Sequence, residues 1–426
     1  MRITKDFGKG LFTGFILSLF VIYSFFRIYW ILEIGIKFFS WHAVLWLYTS
    51  LFLIFIGIGY FLYKNGKFNN PIIQKLYLIC FGLIIGLFTS EIYLRITGNY
   101  ISYSEQREGI FVNPTERLQE TWYMTSLPNE TKLHESNSEY SFIRITNSEG
   151  ASDKEWTIEK DTNEIRIITL GDSFTEGDGC SVESAYPTIL KSMLEKQFQS
   201  VKITVMNAGR CGSDPWFEYK KLEDRFLKYQ PDIVIYTNGS NDLLYDHLLY
   251  GGMERFSIDS TIKNKVPEYW WIGLYEISHF FRAITRFFDY DETFFSLTTR
   301  EKNKSESIID SKLLSERYSE LAQKNKFICI QLLHPEKSEI ENEYYDFNLK
   351  ELLVGLDTLN NYLTFDLMSF YKDSLGINSA NAADYFWKID GHHNSKGYEA
   401  MGKGVFSFIK PVVIRKINEN NHRKSY

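Results

Sequence analysis

Serine, histidine and aspartate can together carry out acyl transfer, and this chain presents them in two widely separated stretches. Ser173 follows Gly171 and Asp172, and Asp390-Gly391-His392-His393 lies more than two hundred residues downstream, just before a helix expected from Ser395. A serine hydroxyl becomes a nucleophile when an imidazole takes its proton and a carboxylate holds that imidazole in the right tautomer. His393 is the expected base, with Asp390 three residues earlier as its orienter. The tetrahedral intermediate also needs hydrogen-bond donors for its oxyanion. The backbone N–H groups of Ser173 and Gly209 and the side-chain amide of Asn241 can supply them, and glycine at 209 lets a substrate approach the backbone closely.

These residues need elements that bring them together. Ile165 to Leu170 is a short apolar, β-branched run that reads as a buried strand, with a tight turn into a helix after it. Asn207-Ala208-Gly209 follows the apolar run Val201 to Met206, and Gly239-Ser240-Asn241-Asp242 follows Ile233 to Tyr236. In a parallel sheet the carboxyl ends of such strands converge on one edge, and a helix start there offers free N–H groups. Asp172 orients the nucleophile turn or is a surface carboxylate, Asn207 is expected to support the second loop and Asp242 to cap or brace the third; His392 lines the pocket or faces solvent. His334, after the strand-like Phe327 to Leu333, should lie on the same edge as a loop residue, with a role in supporting the site or contacting substrate as the other reading.

A chain of 426 residues with 44% hydrophobic content can bury a large core, and its net charge of −6 has no basic block suited to nucleic acid. The mean hydropathy of −0.22 averages two unlike parts, because the first 96 residues are strongly apolar. Three runs, about 11–32, 43–63 and 76–96, each have the length a helix needs to cross a bilayer, so three transmembrane helices are expected. Arg2, Lys5, Lys9, Lys64, Lys67 and Lys75 place the N-terminus and the second loop in the cytoplasm and everything after Ile96 outside. Glu91 and Arg95 read as an interfacial ion pair, with the arginine reaching toward the headgroups. Residues 97–163 read as a polar stalk that partly packs on the catalytic domain, 164–416 as that domain and 417–426 as a polar tail.

The four blocks in this order resemble the SGNH hydrolases, or GDSL esterase superfamily, over about Ile165 to Phe408. The resemblance implies a three-layer α/β/α fold with a parallel sheet. It matches Ser173 to the nucleophile, Gly209 and Asn241 to oxyanion donors, and Asp390 with His393 to an Asp-x-x-His pair. Phe174 stands where the older family name has leucine, a common variation. The three-helix membrane segment departs from the single N-terminal anchor commoner among bacterial relatives.

The resemblance further implies a serine esterase or O-acyltransferase of the bacterial inner membrane, facing the periplasm or exterior and acting on O-acetylated envelope polysaccharide. Its partners would be the lipid bilayer, a glycan or acyl ester substrate, and a multi-spanning acyltransferase or other envelope membrane protein. A lipid esterase and a non-catalytic scaffold subunit are the rival readings. No cofactor is called for, and no His/Cys cluster has zinc spacing. Cys180 and Cys211 flank one pocket in an oxidising compartment, so a disulfide and two free thiols are both open readings. An insertion, about 246–311, is dense in aromatics around residues 268–288. It packs on the sheet, lies at the membrane surface, or covers the active site or a partner.

Overall fold

The computed structural model describes residues 36–98, 128–136, 139–243, 247, 251–256, 271, 274–275, 278–288 and 297–424. The first expected membrane span, 11–32, lies outside them. The chain divides into two compact units. One comprises residues 1–114 and 267–297, the other 115–266 and 298–426.

In the first unit, α1 (Ile36–Lys64) and α2 (Pro71–Thr97) are two helices long and apolar enough to cross a membrane. Proline at the first position of α2 and the Asn70 side chain, which accepts from the Ile72 N–H, fix its start. The two helices meet through aromatic rings. Phe55 and Tyr77 stack with centroids 4.0 Å apart, and Tyr48 meets Phe88 at 5.0 Å. Their other sides expose leucine, isoleucine and phenylalanine, as a lipid-facing surface would.

The second unit begins with a hairpin, β1 (Thr131–Ser136) paired antiparallel with β2 (Tyr140–Ile145). It occupies part of the expected stalk. The chain then enters a sheet with β3 (Glu164–Leu170), followed by the short helical turn α3 (Ser173–Glu176) and α4 (Tyr186–Gln197). Next come β4 (Lys202–Asn207), α5 (Pro215–Lys221) and β5 (Ile233–Asn238). The insertion contributes α6 (His279–Phe287) to the first unit. After it follow α7 (Leu297–Asn325), β6 (Ile328–Leu333), α8 (Lys337–Asn342), β7 (Tyr362–Asp366), α9 (Leu367–Leu375) and α10 (Ser395–Lys424).

The sheet has five parallel strands in the order β4-β3-β5-β6-β7. Side chains alternate across it, so each strand feeds two cores. Ile165, Ile167, Ile233, Ile235 and Ile330 face α4, α9 and α10, whereas Ile168, Leu170, Val234, Tyr236 and Cys329 face α5 and α7. Burial on both faces explains why these strands read as continuous apolar runs, and it makes the unit three-layered. The chain moves from β3 outward to β4, then back across β3 to β5. The strand order therefore reverses beside the carboxyl end of β3, where Ser173 begins its helical turn.

Candidate active site

Ser173 and the downstream histidines do meet, but through a different ring from the one expected. His392 Nε2 lies 2.8 Å from Ser173 Oγ, and His392 Nδ1 lies 2.5 Å from Asp390 Oδ1. The expectation that His393 would stand between them is corrected. The reason is local: Gly391 adopts φ of +86°, a left-handed turn that glycine takes without steric cost. That turn folds residue 392 back onto 390, so that the His392 N–H also donates to Asp390 Oδ1 at 3.3 Å. An ionised Asp390 holds the proton on Nδ1 and leaves the Nε2 lone pair for the serine hydroxyl.

His393 is fully buried and engaged elsewhere. Its Nδ1 donates to the Tyr385 carbonyl at 3.0 Å, which leaves Nε2 as an acceptor; His334 Nε2, 2.9 Å away, then donates to it. Burial, with the charge of His392, brings the His393 pKa down to about 3. Burial and the two neighbouring histidines hold His334 well below its usual range. Both rings are therefore neutral. His334 is a buried bracket for the loop carrying the base, the supporting role rather than an exposed loop residue. Phe174, next to the nucleophile, packs against all three imidazoles, with centroids 4.3, 5.0 and 5.3 Å from His334, His392 and His393.

The hairpin supplies parts of the site that the sequence did not disclose. Tyr140 donates to Asp390 Oδ2 at 3.0 Å, and the Glu139 carboxylate accepts from the Ile389 and Asp390 N–H groups at 2.9 Å each. Arg144 pairs with Asp178 and lies 3.3 Å from Glu176 Oε1. Burial raises the Asp390 carboxyl, but the His392 hydrogen bond and charge and the Tyr140 hydroxyl outweigh it and bring it to about 2. Burial likewise lowers His392, yet the Asp390 bond and the charges of Asp178, Asp390 and Asp172 carry it above 6.5. The one available signal was the alternation Tyr140-x-Phe142-x-Arg144, a strand pattern within the polar stalk that was expected to pack in part on the catalytic domain.

The remaining expected residues divide. Asp172 caps the nucleophile turn, accepting from the Phe174 N–H at 2.9 Å, and burial raises its pKa. Asp242 closes the third loop by accepting from the Gly239 N–H at 2.6 Å. Asn241 sits at the end of β5 with its side chain exposed. The Ser173 N–H takes no acceptor among the described residues. The Gly209 N–H, by contrast, donates to Asn207 Oδ1 at 3.1 Å, so it is not free for an oxyanion in this structure. Glycine is required at 209 for another reason than substrate approach: a Cβ there would stand 2.4 Å from the Glu176 nitrogen and 2.7 Å from the Thr175 carbonyl carbon. The nucleophile's own turn fills that space.

Beneath the turn, Ser213 Oγ donates to the Gly171 carbonyl at 2.9 Å and lies 3.0 Å from Glu218 Oε1. Burial raises the Glu218 pKa well above the usual carboxyl range, and the hydrogen bond with Ser213 works against that shift. Cys180 and Cys211 are free thiols, which removes the disulfide reading. Cys180 Sγ lies 3.4 Å from the Gly177 carbonyl. Among the described residues no group of three or more His, Cys, Asp or Glu is placed to hold a metal.

The fold and site define a parallel α/β protein with a Ser–His–Asp constellation at the switch point of its sheet. No family model and no curated protein matches the chain. Its neighbours among solved structures include lipases, esterases and a G-D-S-L protein. A protein assigned to the lipolytic G-D-S-L family from Desulfitobacterium hafniense is 18% identical over 57% of this chain and 98% of that one, with a TM-score of 0.31. The lipase/acylhydrolase from Enterococcus faecalis is 16% identical over 58% and 96%, with a TM-score of 0.34. A two-domain esterase active on acetylated mannans is 17% identical over 58% and 49%, again with a TM-score of 0.34. The functional reading rests on the chain's own geometry.

Three outcomes are expected. His392→Ala lowers kcat for an activated ester by at least about a thousandfold, whereas His393→Asn keeps the triad and chiefly lowers the melting temperature; equal kinetic losses in both would contradict the assignment. The kcat/KM profile rises with pH as His392 loses its proton, with its acid midpoint above about 6.5, the reference histidine value; a midpoint below that would show that Asp390 and Asp178 do not act on the ring. Tyr140→Phe removes one hydrogen bond to the Asp390 carboxylate, worth about 1.5–3 kcal/mol for a charged acceptor, and lowers kcat by about tenfold. Steady-state kinetics with unchanged turnover would sever the hairpin from the site.

Proposed function

We propose that this protein is a serine esterase or O-acyltransferase that works through an acyl-serine intermediate. The observation that carries the reading is the hydrogen-bonded series Ser173–His392–Asp390, with the tautomer of the histidine fixed. Ser173 Oγ attacks an ester carbonyl while its proton passes to His392 Nε2, and Asp390 stabilises the imidazolium that forms. The imidazolium then protonates the leaving alcohol. An incoming hydroxyl, from water or a sugar, gives its proton to the same nitrogen as its oxygen bonds the acyl carbon; the bond to Ser173 Oγ breaks and the imidazolium returns the proton to that oxygen. The Ser173 N–H and the Asn241 amide are the first donors for the oxyanion. Gly209 joins them once its bond to Asn207 opens.

The finer reading is a membrane-anchored enzyme with its catalytic unit outside the cytoplasm, acting on O-acetyl groups of envelope polysaccharide. It is supported by the two apolar N-terminal helices, by the lysines in the turn between them, and by the motif resemblance. Hydrolysis and transfer share the acyl-enzyme, so the acceptor decides between them.

The test uses full-length detergent-purified protein and Ser173→Ala with an activated aryl acetate, with and without an oligosaccharide acceptor. Wild type should release acetate and carry an acetyl group on the peptide containing Ser173; the variant should lose at least about a thousandfold in rate. Acetyl on the sugar identifies a transferase and free acetate alone a hydrolase. Undiminished release by Ser173→Ala would overturn the proposal.

A further inference from the structure

Helix α6 is inside out. Its buried side is polar, comprising His279, Arg282 and Thr285 with Ser278 at the N-cap. Its outer side is apolar: Ile284 is 37% exposed, and Phe287 and Phe288, three and four residues on, are 80% and 63% exposed. A helix on a water-soluble domain shows the opposite arrangement.

The polar groups at the start of α6 are met by α2. Glu91, fully buried, accepts from Arg95 Nε at 2.6 Å, Ser278 Oγ at 2.7 Å, the Phe280 N–H at 2.8 Å and the His279 N–H at 3.0 Å. Ser278 Oγ in turn accepts from the Phe281 N–H at 3.1 Å, and Arg282 Nη1 donates to the Tyr275 carbonyl at 2.9 Å. Glu91 thus caps a helix other than its own, where a negative charge is favoured by the helix dipole. The expected headgroup-seeking pair is corrected accordingly. Glu91 and Arg95 do pair, but both side chains are turned away from solvent into this junction.

Polar groups gathered inward and apolar rings turned outward are what a lipid environment selects. Depth agrees. Glu91 lies six residues before the end of α2, about 9 Å along its axis, and the 27 residues of α2 span about 40 Å against a hydrocarbon core of about 30 Å. The junction therefore falls near the boundary between headgroups and acyl chains, where amphipathic helices settle. Of the insertion, this segment packs on an apolar helix of the first unit.

We propose that α6 is an interfacial helix, held on the C-terminal part of α2 by Glu91, with Ile284, Phe287 and Phe288 in contact with lipid acyl chains. The inference rests on α2 crossing a bilayer and is independent of the esterase reading.

The test is photo-crosslinking of the full-length protein in nanodiscs containing a phospholipid with a diazirine in the upper acyl chain, with adducts mapped by peptide mass spectrometry. Adducts are expected on peptides covering both 71–97 and 280–288. Glu91→Ala should lose those on 280–288 several-fold while keeping those on 71–97. Ser278→Ala, a milder change that keeps the Glu91–Arg95 pair, should show a smaller loss in the same direction. Adducts on 71–97 with none on 280–288 would overturn the inference, and their absence from 71–97 would overturn the membrane reading beneath it. Undiminished labelling of 280–288 in both variants would remove Glu91 and Ser278 from the role.

Discussion

The hydrogen bond between Asp390 and His392 is the constraint on which the site depends. It fixes which nitrogen of the base carries the proton, and so whether Ser173 faces a lone pair or an N–H. Everything around it holds that carboxylate still and ionised. One Asp390 oxygen takes the imidazole and the His392 backbone, the other takes Tyr140, and the Asp390 N–H is held by Glu139. A carboxylate with fewer partners in so buried a place would tend to take up a proton and lose its hold on the ring.

Two histidines side by side have opposite environments. His392 is surrounded by Asp390, Asp178 and Asp172, which favour its charged form. His393 has Phe386, Phe174 and the neutral His334, which do not. One ring is set up to exchange protons and the other to resist them. Buried neutral histidines protonate more readily in the unfolded chain, so this bracket withdraws stability as pH falls from the ordinary histidine range toward about 3.

Much of the framework was legible in the sequence. The continuous apolar runs of β3, β5 and β6 announced strands buried on both faces, and the small polar residues just after them announced a site on that edge. The length and purity of α1 and α2 announced membrane-length helices. Position 393 was misread because residue spacing carries no dihedral angles. A left-handed glycine shortens the path from Asp390, and only coordinates show that it does. The hairpin's part in the site was missed because Glu139, Tyr140 and Arg144 act through tertiary contacts with residues far along the chain, and the strand alternation in their own neighbourhood does not reveal those partners. Gly209 was singled out for the wrong neighbour. A glycine advertises close approach without saying what approaches, and here it is the backbone of Thr175 and Glu176. In the insertion, aromatic density was visible, but the inversion of α6 was not, because its meaning depends on Glu91 nearly two hundred residues earlier.

The site is also a matter of timing. Its anchoring pairs span most of the unit, with Tyr140 separated from Asp390 by 250 residues and Ser173 from His392 by 219. A growing chain completes β3 and its nucleophile turn long before the base exists. Contacts this distant in sequence are costly to close and form late. Until the loop carrying His392 swings home against the hairpin, Ser173 is an ordinary alcohol, so reactivity arrives together with the completed fold.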